Sequence, residues 1–364
     1  MPFEEVSRMQ NRRRLADVVL NDGVPLARAA REIGVSRPTA YMWVNRAREE
    51  GIAEMAERSR APNHSPGLTP EEIQTQVVAK KRSRPAWGAA KIHATLWPRA
   101  AKAPICVRTV DRILARHGLV RARIDRPAEG RFERANCNEL WQMDFKGTPR
   151  GYRYVPFSVV DDCSRFCLAL EPLRSQASEF VWGHLWDVFG EYGLPDFLLC
   201  DNAFNNNRGY GPTQLQARLW RLGVGTTHGR PSHPQTQGKV ERFHRTLEEE
   251  YHGLLYQHSL EAARIAFREL RFDYNWERPH QALGMRKPGP VYTPSRRKRP
   301  DCLPPIIVPE GAVTRKVDIE GKIHYRGRRL MAGRGLIGEW VEIRHAPNGE
   351  PIVYYAGMPM RNLG

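Results

Sequence analysis

Long apolar runs are missing from this chain. No stretch approaches the ~20 consecutive apolar residues of a membrane-spanning helix. The opening residues, MPFEEVSRMQNRRRL, contain no apolar segment of the kind that marks a secretory signal. The expectation is a soluble intracellular protein, cytoplasmic and nucleoid-associated. Paired cysteines are missing as well. Cys106, Cys137, Cys163, Cys167, Cys200 and Cys302 form no C-x-x-C pair, and no pair of histidines completes a zinc site. They are expected as reduced core residues. No long internal repeat is present.

Positive charge is abundant. The 364 residues carry 57 Lys and Arg against 40 Asp and Glu, a formal net charge of +17. Such an excess favours polyanions, because basic side chains that pair with phosphates release condensed counterions. Its placement is uneven. Residues 1–135 hold 26 basic against 15 acidic residues, net +11; residues 136–295 hold 18 against 18; residues 296–364 hold 13 against 7, net +6. Basic flanks around a neutral middle suit DNA-binding arms on a catalytic body.

Three composition breaks divide the chain. SRAPNHSPGLTP (59–70), IDRPAEGRFERAN (124–136) and PSRRKRPDCLPP (294–305) are rich in Pro, Ser, Gly or charge and are taken as linkers, the last with a basic cluster. They set the expected domains at 1–60, 66–125, 136–295 and 305–364.

In the first segment, LARAAREIG places Leu26, Ala29, Ala30 and Ile33 on one helical face. Gly34 supplies a turn, Ser36 a helix cap, and Pro38 fits the first turn of the next helix. That helix is expected to bury Ala40, Val44 and Ala47 and to expose Arg37, Thr39, Arg46 and Arg48. The pattern resembles a helix-turn-helix whose second helix enters the major groove, with those four residues as DNA contacts.

The second segment repeats the idea. A helix capped by Thr69 is followed by WGAAKIHATL and by VRTVDRILARHGL, with Gly118 as its stop. Arg108, Arg112 and Arg116, four residues apart, form one basic face, of which Arg108 and Arg112 are candidate DNA contacts. The last segment alternates like strands. It predicts hairpins about Glu320-Gly321 and Asn348-Gly349 and a small β-barrel.

The middle segment carries the chemistry. LWQMDFKG is a short strand ending near Asp144. GYRYVPFSVVDDCSRFCLALEPL is a hairpin turning at Asp161 to Ser164. SEFVWGHLWDVFGEYG is a helix with Phe180, Val181, Leu185, Val188 and Phe189 inward, and PDFLLCDN is a strand ending at Asp201. A right-handed crossover sets the strands of Asp144 and Asp201 side by side. The helix PQTQGKVERFHRTLEEEYHG packs through Val240, Phe243, Leu247 and Tyr251, with Glu241 bordering that stripe. Asp144, Asp201 and Glu241 then converge as an oxygen-rich site for hard cations. Two Mg²⁺ (or Mn²⁺) ions suit phosphodiester attack there. Asp161 and Asp162 fit a turn better than a metal site, and Glu248 to Glu250 read as a solvated run. Lys239 and Arg242, flanking Glu241, are further candidates to grip DNA, with His233 and Gln235 behind them. The RPH of 278–280 is as well explained by packing.

WQMDFKG, VVDDCSRF, LLCDNAF, HPQTQGKVERFHRTL and YNWERPHQALGMRKPGPVY occur in this order. Together they resemble the integrase core of bacterial insertion-sequence transposases, relatives of retroviral integrases. The resemblance implies a multidomain chain: all-α helix-turn-helix modules, an α/β RNase H-like core with an Asp-Asp-Glu triad at Asp144, Asp201 and Glu241, and a small β-barrel. It also implies double-stranded DNA as partner, both element-end inverted repeats and target, and a homodimer or higher oligomer on that DNA. Two departures stand out against the family pattern. Asn202-Ala203 replaces the usual Asn-Gly, and thirty-nine residues instead of thirty-five separate Asp201 from Glu241, the excess falling in NNNRGYGP. Two other classes of function remain open: a catalytically idle DNA-binding regulator and an RNase H-class nuclease.

Overall fold

A computed structural model describes residues 8–53, 55–56, 68–120, 133–200, 211–228 and 238–360. Asp201, His233 and Gln235 lie outside the described residues. The chain divides into two compact units at Leu68/Thr69.

The first unit contains α1 (Arg8–Leu20), α2 (Leu26–Ile33) and α3 (Arg37–Glu50). Its turn is built as the sequence predicts. Gly34 adopts φ 76°, a left-handed conformation that costs glycine nothing. The Ser36 hydroxyl then accepts from the Thr39 N–H and caps α3. Ala29, Ala30, Ala40, Val44 and Ala47 are buried, joined by Trp43.

The second unit begins with a helical module: α4 (Glu71–Ser83), α5 (Ala89–Leu96) and α6 (Val107–Arg116). Pro70, not Thr69, occupies the cap position of α4, and no side chain caps it. Val77, Trp87, Ile92, Val110, Ile113 and Leu114 make the module's own core.

The central body holds β1 (Leu140–Phe145), β2 (Val155–Asp161), β3 (Cys167–Leu173), α7 (Ser178–Tyr192), β4 (Phe197–Cys200), α8 (Gln214–Arg221), β5 (Gly225–His228), α9 (Gly238–Leu255) and α10 (Leu260–Phe272). The strands form a five-stranded sheet in the order β3-β2-β1-β4-β5. β1, β2 and β3 pair antiparallel, whereas β1-β4 and β4-β5 are parallel. This is the RNase H-like α/β arrangement. Trp141 and Met143 of β1 point into the layer made with α7 and α8. Alternation along the strand sends Gln142 and Asp144 to the opposite face, where α9 and α10 pack. Phe180, expected inward, is exposed. It stands about 100° from Val181 around α7, outside the stripe of Val181, Leu185, Val188 and Phe189.

The C-terminal β unit contains β6 (Val313–Lys316), β7 (Lys322–Tyr325), β8 (Arg328–Met331), β9 (Trp340–His345), β10 (Pro351–Tyr355) and β11 (Met358–Met360). They form a four-stranded antiparallel sheet, β11-β10-β9-β6, and a β7-β8 pair around one core. The β9-β10 hairpin turns at Asn348-Gly349 as expected. The hairpin expected about Glu320-Gly321 is different: β6 pairs with β9 and β7 with β8, so the hairpin turns at Arg326-Gly327 instead.

The third linker is also not free. Arg297 donates to the carbonyls of Pro195, Leu222 and Gly223, and Arg299 to that of Trp186. Two of the basic residues of that cluster thus satisfy carbonyls of the central body. Of the cysteines, Cys167 and Cys200 are buried as expected; Cys106 and Cys302 are exposed, Cys137 and Cys163 half-buried, and all six are free thiols. No helix among the described residues is long and apolar enough to cross a membrane.

Candidate active site

Asp144 stands near the C-terminal end of β1, one residue past Met143, whose register partner on parallel β4 is Cys200. Cys200 is followed in the sequence by Asp201. The two expected carboxylates therefore follow residues paired in adjacent parallel strands.

Glu241 lies in the first turn of α9. Two contacts fix that turn over β1. Val240 N–H donates to Gln142 Oε1 at 3.3 Å, giving a helix-terminal N–H the partner the helix cannot supply. One turn further on, His244 Nδ1 lies 3.6 Å from Asp144 Oδ2, and its Nε2 shares a 2.8 Å hydrogen bond with Ser158 Oγ on β2. Glu241 precedes His244 by three residues, so both belong to one side of the helix. The helix that carries Glu241 thus comes within 3.6 Å of the Asp144 carboxylate one turn further on. Asp144 is half-buried and Glu241 exposed.

Local charge is set by named neighbours. Burial, and then the positive charge of Lys146, push the His244 pKa down to about 4, so its ring is neutral at pH 7. Lys146 in turn pairs with Glu248 at 2.8 Å. Asp161 and Asp162 are fully buried; Asp161 serves the turn, as expected, whereas Asp162 ties the turn to β1, α9 and residue 134. Asp161 accepts from Asn138 N–H, Ser164 N–H and Ser164 Oγ–H. Asp162 accepts from Gln142 Nε2 and Arg134 N–H and pairs with Lys239. Lys239, a candidate DNA contact, is therefore turned onto Asp162, while Arg242 is exposed.

The three carboxylates expected here are all hard oxygen donors, the set that suits Mg²⁺ or Mn²⁺. Beside Asp144, His244 Nδ1 lies 3.6 Å from the carboxylate and Ser158 Oγ donates to the Asp144 main-chain carbonyl. Among the described residues no three His, Cys, Asp or Glu side chains cluster as a metal site; Asp201 is not among them.

The helical arms place their candidates unevenly. Arg37 and Arg48 are exposed on α3. Thr39 Oγ1 shares a 2.7 Å hydrogen bond with Ser36 Oγ and belongs to the cap. Arg46 is committed to Glu50 at 3.0 Å and lies 5.3 Å over the Trp43 ring. Tyr41 and Met42 are 60% and 55% exposed on the same helix, Tyr41 one turn after Arg37. On α6, Arg108, Arg112 and Arg116 are all exposed.

Glu250 was misjudged most. Far from being solvated, its side chain is 6% exposed. It accepts two hydrogen bonds from Arg278 and one each from Lys91 and Trp87 Nε1. Burial alone would raise its pKa, but Arg278 and Lys91 hold it down to about 2. Arg278 and His280 of the RPH stretch are buried in this network, a packing role.

Known proteins match the chain in separate segments. The model of the integrase core domain matches residues 222–288. A homeodomain-like domain matches 39–114, and a helix-turn-helix domain 11–62. The C-terminal domain of IS481 family transposases matches 312–356. The Gag-Pro-Pol polyprotein of squirrel monkey retrovirus is 35% identical over 111 residues, 30% of this chain and 6% of the polyprotein. The intracisternal A-particle Pol-related polyprotein of mouse intracisternal A-particle MIA14 is 32% identical over 111 residues, 12% of its length. The matched stretch is thus a small part of either relative. Among solved structures, the catalytic core domain of BIV integrase is similar at 22% identity and TM-score 0.33, covering 43% of this chain and 93% of that one. The HTLV-2 integrase catalytic core domain in complex with magnesium is similar at 15% and 0.34, covering 43% and 97%. Segment by segment, the chain matches models of helix-turn-helix domains, of an integrase core domain and of the C-terminal domain of IS481 family transposases.

Proposed function

We propose that this protein is a transposase that binds the terminal inverted repeats of a mobile element, cuts at the element ends and joins them to target DNA. The observation that supports this best is the seat of Asp144. It lies near the end of a strand paired parallel to the strand preceding Asp201, under the helix turn that carries Glu241.

Asp144, Asp201 and Glu241 are the residues that would hold divalent cations, Mg²⁺ or Mn²⁺. When bound, such ions lower the pKa of a water nucleophile and neutralise charge on the leaving oxygen. The chain's own part is positional. Gln142 fixes the first turn of α9 on β1. His244, neutral, packs beside the Asp144 carboxylate without adding positive charge. Arg242, exposed beside Glu241, would meet a DNA phosphate, and the exposed Arg37, Arg48, Arg108 and Arg112 would hold the duplex. In the first reaction water attacks a phosphodiester, the P–O3′ bond breaks, and a 3′-hydroxyl and a 5′-phosphate are left. In the second, that 3′-hydroxyl attacks a target phosphodiester, forming one P–O bond as another breaks. No high-energy cofactor is consumed. Both ends must be held together, which calls for a homodimer or larger assembly on DNA.

The test is strand transfer in vitro with a duplex carrying the repeats that flank the gene. Joined products that require Mg²⁺ and Glu241 support the reading. Binding without cutting favours the idle regulator, and cutting of arbitrary duplexes without joining favours an RNase H-class nuclease.

A further inference from the structure

The helical module of α4 to α6 is fastened to the central body through buried charge. Glu250, on α9, receives Lys91 Nζ at 2.8 Å and Trp87 Nε1 at 2.8 Å from the module, and Arg278 at 2.9 and 2.7 Å from its own body. A second carboxylate, Asp273, takes both guanidinium nitrogens of Arg84, at the end of α4, and the Tyr251 hydroxyl at 2.5 Å. Arg84 also lies 5.1 Å over the Trp87 ring. The positive and negative groups interleave across the junction.

The module side of this junction is anchored inward. Trp87 is 1% exposed and belongs to the core that holds Ile92, Val110, Ile113 and Leu114. The loop that presents it is held by Lys81, itself buried, whose ammonium donates to the carbonyls of Pro85 and Trp87 at 2.8 Å each. The contact therefore grips the module's core and not a swinging surface side chain. Exposed ion pairs hold little; here Glu250 is 6% exposed and its partner Lys91 and the Arg84–Asp273 pair are half-buried, so removing Lys91 takes a partner from a buried carboxylate.

The same helix carries the catalytic candidate and the fastening. Glu241 and Glu250 are nine residues apart on α9, about 13 Å along a helix that rises 1.5 Å per residue. The kink at Tyr251 comes after both. Meanwhile α6 contributes none of these bonds, and its Arg108, Arg112 and Arg116 remain exposed.

We infer that Glu250 and Asp273 latch this module to the catalytic body, so that DNA held on α6 is registered to Glu241 and the latch sets where the strand is cut. The inference rests on the transposase reading for its DNA outcome. The fastening itself is tested separately.

The experiment uses the full chain with a specific protease site placed between residues 121 and 132, and the variant Arg84→Ala/Lys91→Ala, which leaves the Glu250–Arg278 pair intact. After proteolysis and gel filtration, the two fragments of the parent should co-elute, and those of the variant should separate. Thermal unfolding and circular dichroism show whether the variant is folded. Uncleaved, both proteins are then given an end-labelled duplex bearing the flanking repeats and Mg²⁺. The parent should cut at one position. The variant should bind the end equally but lose cutting at that position by about 100-fold, the scale of an ångström-sized misplacement, with cuts spread over neighbouring nucleotides. Separation of the parent's fragments, or one unchanged cut position at an unchanged rate in the variant, overturns the latch. A parent whose fragments co-elute but which never cuts upholds the fastening and refutes the transposase reading instead.

Discussion

His244 Nδ1 lies 3.6 Å from Asp144 Oδ2, and the opposite nitrogen of the same ring is tied to Ser158. A residue on the helix that carries Glu241 thus lies beside the Asp144 carboxylate. Groups that orient a metal-binding carboxylate cost about 10- to 100-fold in metal affinity or activity when removed. His244→Ala should lose that much cutting and need more Mn²⁺ to reach half-maximal rate, while His244→Asn should recover part of it. Mn²⁺ titration of the cutting rate, with DNA binding measured in parallel, checks this. An unchanged metal requirement in His244→Ala would assign the residue to packing alone.

Arg37 and Arg48 are exposed on α3, whereas Arg46 is spent on Glu50 and Trp43. Alanine at Arg37 or Arg48 should weaken end binding and lower the slope of log K against log salt by about 1 each. Arg46→Ala should leave the slope alone and cost a few tenths of a kcal/mol in helix stability, about the worth of one helix ion pair. Binding isotherms across a salt series separate the two. An equal slope change in Arg46→Ala would place it on DNA after all.

How much of this was legible in advance depended on distance along the chain. The Gly34 turn, the Ser36 cap and the strand ending near Asp144 are local, and local chemistry specifies them. Glu250 was opaque. In sequence it is the third member of an acidic run, and its partners lie 28 and 159 residues away. Only the packing of α9 brings Arg278 and Lys91 to it. Lys239 was opaque for the same reason, since its partner Asp162 stands just after β2, distant in sequence. The turn at Glu320-Gly321 misled differently. Gly321 does turn the chain there, but pairing partners on other strands decide which strands join a sheet.

Acid should weaken the fold in two steps. Burial, with Arg278 and Lys91 nearby, pushes the His280 pKa down to about 3, so folding holds the ring neutral. Below its ordinary value of 6.5 the unfolded chain takes up a proton that the folded chain refuses. Stability then falls by up to about 1.4 kcal/mol per pH unit between 6.5 and 3. Glu250, depressed to about 2, contributes stability that is whole above its ordinary 4.5 and is lost as pH falls from there towards 2. Urea midpoints at pH 7.5, 5.5 and 4 should decline, and His280→Gln should shrink the first step, to which His244, pushed down to about 4, contributes as well. A midpoint independent of pH between 7.5 and 5.5 would contradict the buried neutral histidine.

Gly335 packs the C-terminal β unit against the loop before α8. A Cβ there would fall on the Pro212 carbonyl and the Thr213 backbone. Gly335→Ala should therefore destabilise the protein by about 1–3 kcal/mol, as overpacking does. Chemical denaturation is the measurement, and wild-type stability in the variant would show that the two segments part readily.

The central claim is that Asp144 and Glu241 act together on a phosphodiester. Strand transfer with an element-end duplex and Mg²⁺, run for the parent, Asp144→Asn and Glu241→Gln, tests it most directly, with EDTA as control and end binding measured alongside. The account predicts joined products from the parent only, dependence on the metal, and undiminished binding by both variants. Joined products from either variant at the parent's rate would contradict it.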